Sequence, residues 1–261
     1  MTSLPFFQVD AFARLPFEGN PAAVMPLERW LEDEVMQSIA AENNLAETAF
    51  LVARNDGKAE FDLRWFTPTV EVDLCGHATL ASAHVLMERD SARFSTRSGI
   101  LTVTRKDGLL WLDLPAGTVR EEAEPGILKA LGLPAKTPLF LGRGGNGAAI
   151  ALLESESAVR KVEPDFRALR QYDRLVMVTA SGDNSDIASR VFAAYHGIDE
   201  DPVTGSAHGS LVPFWAERLG RKCFDAIQAS KRGGHLECVL EGDRVLLGGT
   251  CRTVIVGNFQ L

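Results

Sequence analysis

The sequence predicts an α+β protein of two pseudo-symmetric barrel-like halves, each a curled mixed β-sheet around one buried central helix. Three observations lead there. Strand-like segments dominate the chain between Gly, Pro and Asn punctuation. One segment, GHATLASAHVLMER from Gly76, is apolar around nearly its whole circumference. The same ordered motifs are also written twice along the chain.

Taken in order, FFQVDAF, NPAAVMPL, ETAFLVA and EFDLRWF read as strands, because their apolar and β-branched residues alternate or cluster. A helix, WLEDEVMQSIAAEN, separates the second from the third. Its Leu31, Val35, Ile39 and Ala40 recur at helical spacing, and acidic residues fill its first turn. In GHATLASAHVLMER, Ala78, Leu80, Ala81, Ala83, Val85 and Leu86 leave no polar face, so this helix must be buried. Strands around RFSTR, ILTVTR and LLWLDL are expected to wrap it. GSAHGSLVPFWAERLG repeats the central helix, and Pro213, lacking an amide hydrogen, is expected to kink or restart it.

The duplication is read from register. GNPAAV begins at Gly19 and GNGAAI at Gly145, and the same offset of 126 residues carries Arg64 to Arg190 and Phe66 to Phe192 without a gap. Further on, Cys75-Gly76-His77-Ala78-Thr79 faces Thr204-Gly205-Ser206-Ala207-His208, and SGILTV answers GGHLEC. The halves are expected to run over residues 1–117 and 118–261. Two-fold pseudo-symmetry can turn both helix starts, at Gly76 and Gly205, toward a shared cleft.

Composition narrows the function classes. Of 261 residues, 46% are hydrophobic and 24% charged, which supports a substantial core. A formal net charge of -8 opposes attraction to phosphate backbones or anionic lipids, so neither nucleic acid nor a membrane is an expected partner. No apolar run approaches the roughly 18 residues of a span, and the first residues lack a basic leader, so a cytoplasmic protein is expected. Cys75, Cys223, Cys238 and Cys251 form no CxxC pair and have no His at zinc-ligand spacing. No metal is expected, and the last three read as inert, partly buried thiols.

The residues that carry chemistry gather at the helix starts. Exposed backbone N–H groups and the helix dipole there favour a carboxylate or a developing enolate. Cys75, Gly76 and Ala78 in the first half, and Thr204, Gly205 and Ala207 in the second, are the candidate substrate-binding positions, though the two glycines also suit tight turns. Glu47, flanked by Ala46, Ala49 and Phe50, is a candidate general acid–base whose desolvation would favour its protonated form; it also reads as a cap or loop-edge carboxylate. His77 can hydrogen-bond a substrate or relay a proton, whereas His84 reads as packing beside the core. Asp201, Ser206 and His208 lie within eight residues, and Asp201 equally suits fixing the turn before a helix. There is no GxSxG elbow for a hydrolase, and GRGGNG at 142–147 lacks the spacing of a nucleotide loop.

Five ordered motifs, DAFARLPFEGNPAAV, NNLAETAF, FTPTVEVDLCGHATLASA, GIDEDPVTGSAHGSL and SKRGGHL, resemble the phenazine-biosynthesis PhzF-like family over essentially the full chain. The resemblance implies the fold of diaminopimelate epimerase, with the active site between two barrels. It also implies a cofactor-independent isomerase in which a glutamate, here Glu47, moves a proton within a small carboxylate. His77, Asp201 and Ser206 match the family's substrate-orienting or proton-relaying positions, and family members often form homodimers. The chain reads CGHAT and DPVTGSAH, unlike the phenazine enzyme itself, so its substrate is not inherited. Cys75 resembles one of the two catalytic cysteines of diaminopimelate epimerase, but the other position holds Thr204. A cysteine-dependent epimerase or racemase, and a non-catalytic small-molecule binding protein, are the alternatives.

Overall fold

The computed structural model describes residues 2–142 and 147–261. Most of GRGGNG and the start of GNGAAI therefore lie outside the described residues. The chain divides by packing into two units, residues 1–113 with 248–261, and residues 114–247. Against the sequence halves of 1–117 and 118–261, the boundary of this division falls between residues 113 and 114, and residues 248–261 pack with the first unit.

The first unit begins β1 (Ser3–Ala11), β2 (Asn20–Leu27), α1 (Asp33–Asn43), β3 (Glu47–Ala53), β4 (Phe61–Phe66) and β5 (Glu71–Val72). It continues with α2 (Gly76–Leu86), β6 (Ser91–Thr96), β7 (Gly99–Lys106) and β8 (Leu109–Pro115). β1 and β2 are antiparallel, β2 and β3 parallel, β3 and β4 antiparallel, β4 and β6 parallel, and β6 and β7 antiparallel. Both parallel pairs are joined through a helix, as a parallel connection requires.

α1 is shorter than its sequence pattern, starting at Asp33 rather than Trp30. Its apolar residues Met36, Ile39 and Ala40 are buried against Leu4, Met25, Leu27, Phe50 and Phe66, while Leu31 and Val35 only flank that cluster. Asn44 ends the helix in the left-handed conformation, and Asn43 donates to the Thr48 hydroxyl at 3.0 Å, which sets the entry into β3 at Glu47. α2 is buried from Gly76 through Ala83, as its apolar circumference demands, and packs against β1, β2, β3, β7 and β18, the last strand of the chain (Cys251–Gln260). Its two hydroxyls are satisfied inside the helix, Thr79 donating to the Cys75 carbonyl and Ser82 to that of Ala78.

The second unit contains β9 (Val119–Glu121), α3 (Pro125–Ala130), β10 (Leu139–Gly142), β11 (Gly147–Leu152), α4 (Glu156–Lys161), α5 (Phe166–Leu169) and β12 (Arg174–Ser181). It goes on through β13 (Ile187–Ala193), β14 (Ile198–Asp201), α6 (Gly205–Leu219), β15 (Cys223–Gln228), β16 (Gly234–Glu241) and β17 (Arg244–Gly249). The order of pairings from β10 to β16 is antiparallel, parallel, antiparallel, parallel, antiparallel, the same series as in the first unit. The gapless offset of 126 does not hold in detail. Val24 pairs with Ala49, whereas Ile150 pairs with Met177, so β12 has slipped by two residues, a shift that keeps each side chain on its own face.

Arg64 and Arg190, matched by sequence, make the same local structure. Arg64 on β4 grips Glu71 on β5 through two bonds of 2.7 Å, and Arg190 on β13 grips Glu200 on β14 at 2.7 and 2.9 Å. Each guanidinium also lies over a phenylalanine ring, Phe66 at 5.2 Å and Phe192 at 5.1 Å. These forked pairs tie down the short strands that lead directly into α2 and α6.

Pro213 does not restart its helix. α6 runs unbroken from Gly205 to Leu219. The carbonyl that Pro213 cannot serve, on Gly209, accepts instead from the Gly117 amide at 2.9 Å. That approach needs two glycines, since a Cβ at Gly117 would come within 2.4 Å of the Ser210 hydroxyl and one at Gly209 within 3.2 Å of the Pro115 carbonyl. β18 pairs with β1 in antiparallel register from Ser3 opposite Gln260 to Ala11 opposite Cys251.

Candidate active site

Three residues meet at the start of α2. Glu47 opens β3, Cys75 precedes the helix and His77 lies in its first turn. Glu47 is 9% exposed and His77 3%, so the carboxylate does not reach into bulk water. Glu47 Oε2 lies 3.0 Å from His77 Nε2. The contact does not have the geometry of a directed hydrogen bond, and both atoms are buried. On the other side of the ring, Nδ1 is 3.1 Å from Asn20 Nδ2 and 3.6 Å from Cys75 Sγ.

The electrostatics follow from burial and proximity. Burial, reinforced by the Glu47 carboxylate, pushes the Cys75 thiol up to about 11, so it stays protonated at neutral pH. Burial works against a charged His77, but the Cys75 sulfur and the Glu47 carboxylate outweigh it and hold the ring well above its ordinary value. The arrangement is a desolvated carboxylate–imidazolium pair with a thiol behind it.

Asn20 was not among the sequence candidates. It is fully buried. It is placed by Gly19, whose φ of +71° and whose Cα, so near the Ala11 carbonyl that a Cβ would sit 2.2 Å from the oxygen, admit only glycine. The signal was present in GNPAAV, the motif read as a repeat marker rather than as a site.

The metal expectation rested on sequence spacing, but in space Glu47, Cys75 and His77 each offer a ligand atom within 4.8 Å of the others. The imidazole presents Nε2 to Glu47 and Nδ1 to Cys75, so one ion could use only one of these faces. It would also have to displace the thiol proton.

The remaining candidates lie in the second unit. Asp201 ends β14 and is buried, and it accepts from the Thr204 hydroxyl. Gln228 completes this turn, accepting from the Thr204 amide at 2.8 Å and donating to the Asp201 carbonyl at 2.6 Å. Sequence reasoning gave no role to Gln228. The turn leads into Gly205, Ser206 and Ala207 at the head of α6, with Gly205 and Ala207 buried and Ser206 partly so. His208 is fully buried, it bonds the Thr204 carbonyl at 2.8 Å, and burial depresses it to about 4. Cys238 and Cys251 are buried thiols as expected, but Cys223 is exposed because it opens an outward-alternating strand.

Residues 9–257 match the model of the phenazine biosynthesis-like protein family, PhzC-PhzF. The chain belongs to that family. Among its PhzF-like relatives, the uncharacterized isomerase PA3578 of Pseudomonas aeruginosa is 51% identical, the alignment covering 99% of each chain. A crystal structure of a PhzF-family protein from Enterococcus faecalis superposes with a TM-score of 0.90 at 44% identity, covering 100% of both chains. A hydroxyproline epimerase from Agrobacterium vitis shares the fold alone, with a TM-score of 0.63 at 11% identity over 98% of this chain and 92% of that one. The mixed α+β fold is thus that of PhzF and epimerase structures. No helix among the described residues is long and apolar enough to cross a membrane.

Proposed function

We propose that this PhzF-like protein is an isomerase that moves a proton within a small carboxylate-bearing metabolite, without an organic cofactor or metal, using Glu47 as base and then acid. The observation that carries the proposal is the buried Glu47 carboxylate 3.0 Å from His77 Nε2. A carboxylate held out of water beside an imidazolium can take a proton from carbon next to an activated carbonyl or diene and return it at another carbon. The relatives named as isomerases support the reaction class.

In this reading His77 orients Glu47 and the substrate, and the amides around Cys75, Gly76 and Ala78 stabilise negative charge as it develops. The start of α6 is assigned a parallel role: Thr204, Gly205 and Ala207 as anion-binding positions, with Asp201 and Ser206 as substrate-orienting groups. A sheet curled into a barrel around α2, and another around α6, is the architecture proposed to hold them. A cytoplasmic homodimer acting on a small molecule, rather than on nucleic acid or a membrane, completes the proposal.

A second reading has one observation in its favour, the Cys75 thiol 3.6 Å from His77 Nδ1, which suits a cysteine-dependent epimerase or racemase. Incubation with pooled small carboxylates and amino acids in D₂O separates the two. The isomerase reading expects deuterium at a carbon that gains a proton by rearrangement, with Cys75→Ala keeping most of the exchange. Deuterium confined to amino-acid α-carbons, abolished when Cys75 is alkylated or replaced, would establish the epimerase and remove the isomerase.

A further inference from the structure

The first unit carries a second feature suited to ligand binding, at the far end of α2 from His77. A cavity of about 430 Å³ is lined by His84, Arg105, Gly108, Leu109, Leu110 and the segment Gly249–Arg252. That is within the size range of small-molecule sites, about 300–1,000 Å³. His84, read from sequence as packing beside the core, is only partly buried, and its Nε2 sits 3.1 Å from the Thr253 hydroxyl.

The basic side chains lining this cavity are His84, Arg105 and Arg252, and no carboxylate is among its lining residues. Burial, then Arg105 and Arg252, hold His84 below its ordinary value, and no carboxylate acts on it. The ring is therefore neutral at pH 7 and able to give or take a hydrogen bond. Arg252 spends Nε and Nη2 on the Arg14 carbonyl, at 3.2 and 3.0 Å, which fixes the guanidinium plane and leaves Nη1. Among the described residues, no carboxylate forms an ion pair with either arginine. Elsewhere in this acidic chain guanidinium groups are commonly paired, as Arg54, Arg64, Arg93, Arg160 and Arg190 are. The unneutralised Arg105 fork, the remaining Nη1 of Arg252 and a neutral imidazole on one concave surface match a doubly charged oxyanion, since a guanidinium fork binds phosphate in a bidentate manner.

We infer that the Arg105–Arg252–His84 cavity binds the phosphoryl group of a small phosphate monoester, at a site separate from Glu47 and His77. The volume exceeds what inorganic phosphate fills, and Leu109 and Leu110 supply an apolar wall for an organic body.

The test is an NMR titration of the ¹⁵N-labelled full chain at constant ionic strength, using inorganic phosphate, phenyl phosphate and phenylacetate as probes. Saturable shifts centred on Arg105, Leu109, Leu110 and Gly249–Arg252 are expected, with phenyl phosphate binding more tightly than inorganic phosphate or phenylacetate. Arg105→Ala and Arg252→Ala should each weaken phenyl phosphate by about 10-fold or more, as loss of a charged hydrogen-bonding group does. Arg105→Lys, which keeps the charge and loses the fork, should fall between, and serves if an alanine variant does not fold. Shifts that never saturate, shifts centred on Glu47 and His77, tighter binding of phenylacetate, or undiminished binding in the folded variants would overturn the inference.

Discussion

Glu47→Gln should lower turnover by about 10²- to 10⁴-fold, the usual loss when a general acid–base is removed. The amide keeps the shape of the carboxylate and can still lie against His77, so the fold and substrate affinity should change little. Only the ability to accept and return a proton is lost. Two readouts check this: deuterium incorporation into a turned-over metabolite, and the thermal midpoint of the variant. Exchange at the wild-type rate from a fully folded variant would take Glu47 out of the mechanism. A variant that is inactive and also unfolds near room temperature would leave Glu47 with a structural role only.

The second large effect is on stability as a function of pH. The folded protein holds His77 above its ordinary value near 6.5. Protonation is therefore favoured by folding, and the stabilisation is complete below the unfolded value and disappears as pH rises through the folded one. Urea unfolding of the wild type between pH 6 and pH 9.5 should show stability falling as the ring is deprotonated, by up to about 1.4 kcal/mol per pH unit for a single linked proton. In His77→Gln that component should be absent, so the difference between the two curves should shrink toward high pH. Titrating groups remote from His77 cancel in the comparison, and Cys75, pushed up to about 11, lies outside the window. Parallel curves would mean that the imidazole is not charged in the native state.

What the sequence made legible was periodic or covalently local. α2 was readable because eight consecutive buried residues leave no polar face to misassign. Glu47 and His77 were readable only as separate candidates, one beside a strand and one at a helix start. Their meeting depends on β3 and α2 packing together, which no spacing along the chain encodes. Asn20 was passed over for the same reason, since its partner His77 is 57 residues away. Of the two outcomes expected at Pro213, a kink or a restart, the restart does not occur. The rule that proline breaks a helix assumes that the orphaned carbonyl finds no donor, and here Gly117, remote in sequence, supplies one. The start of α1 was placed three residues early because Trp30 and Leu31 share the apolar character of the helix, though they sit on its approach. His84 is partly buried, compatible with packing beside the core, but sequence shows only the helix it stands on and not the two arginines that line the same cavity.

The pairing of β18 with β1 dictates an order of assembly. Thr2 and Leu261 exchange backbone hydrogen bonds at 2.9 and 2.8 Å, and the strand between Cys251 and Gln260 is the neighbour of β1. On the ribosome, β1 therefore emerges more than two hundred residues before its partner and must wait while residues 114–247 are made. The later-translated unit is the first that can close, and the earlier one stays open at a sheet edge, the kind of surface on which nascent chains aggregate.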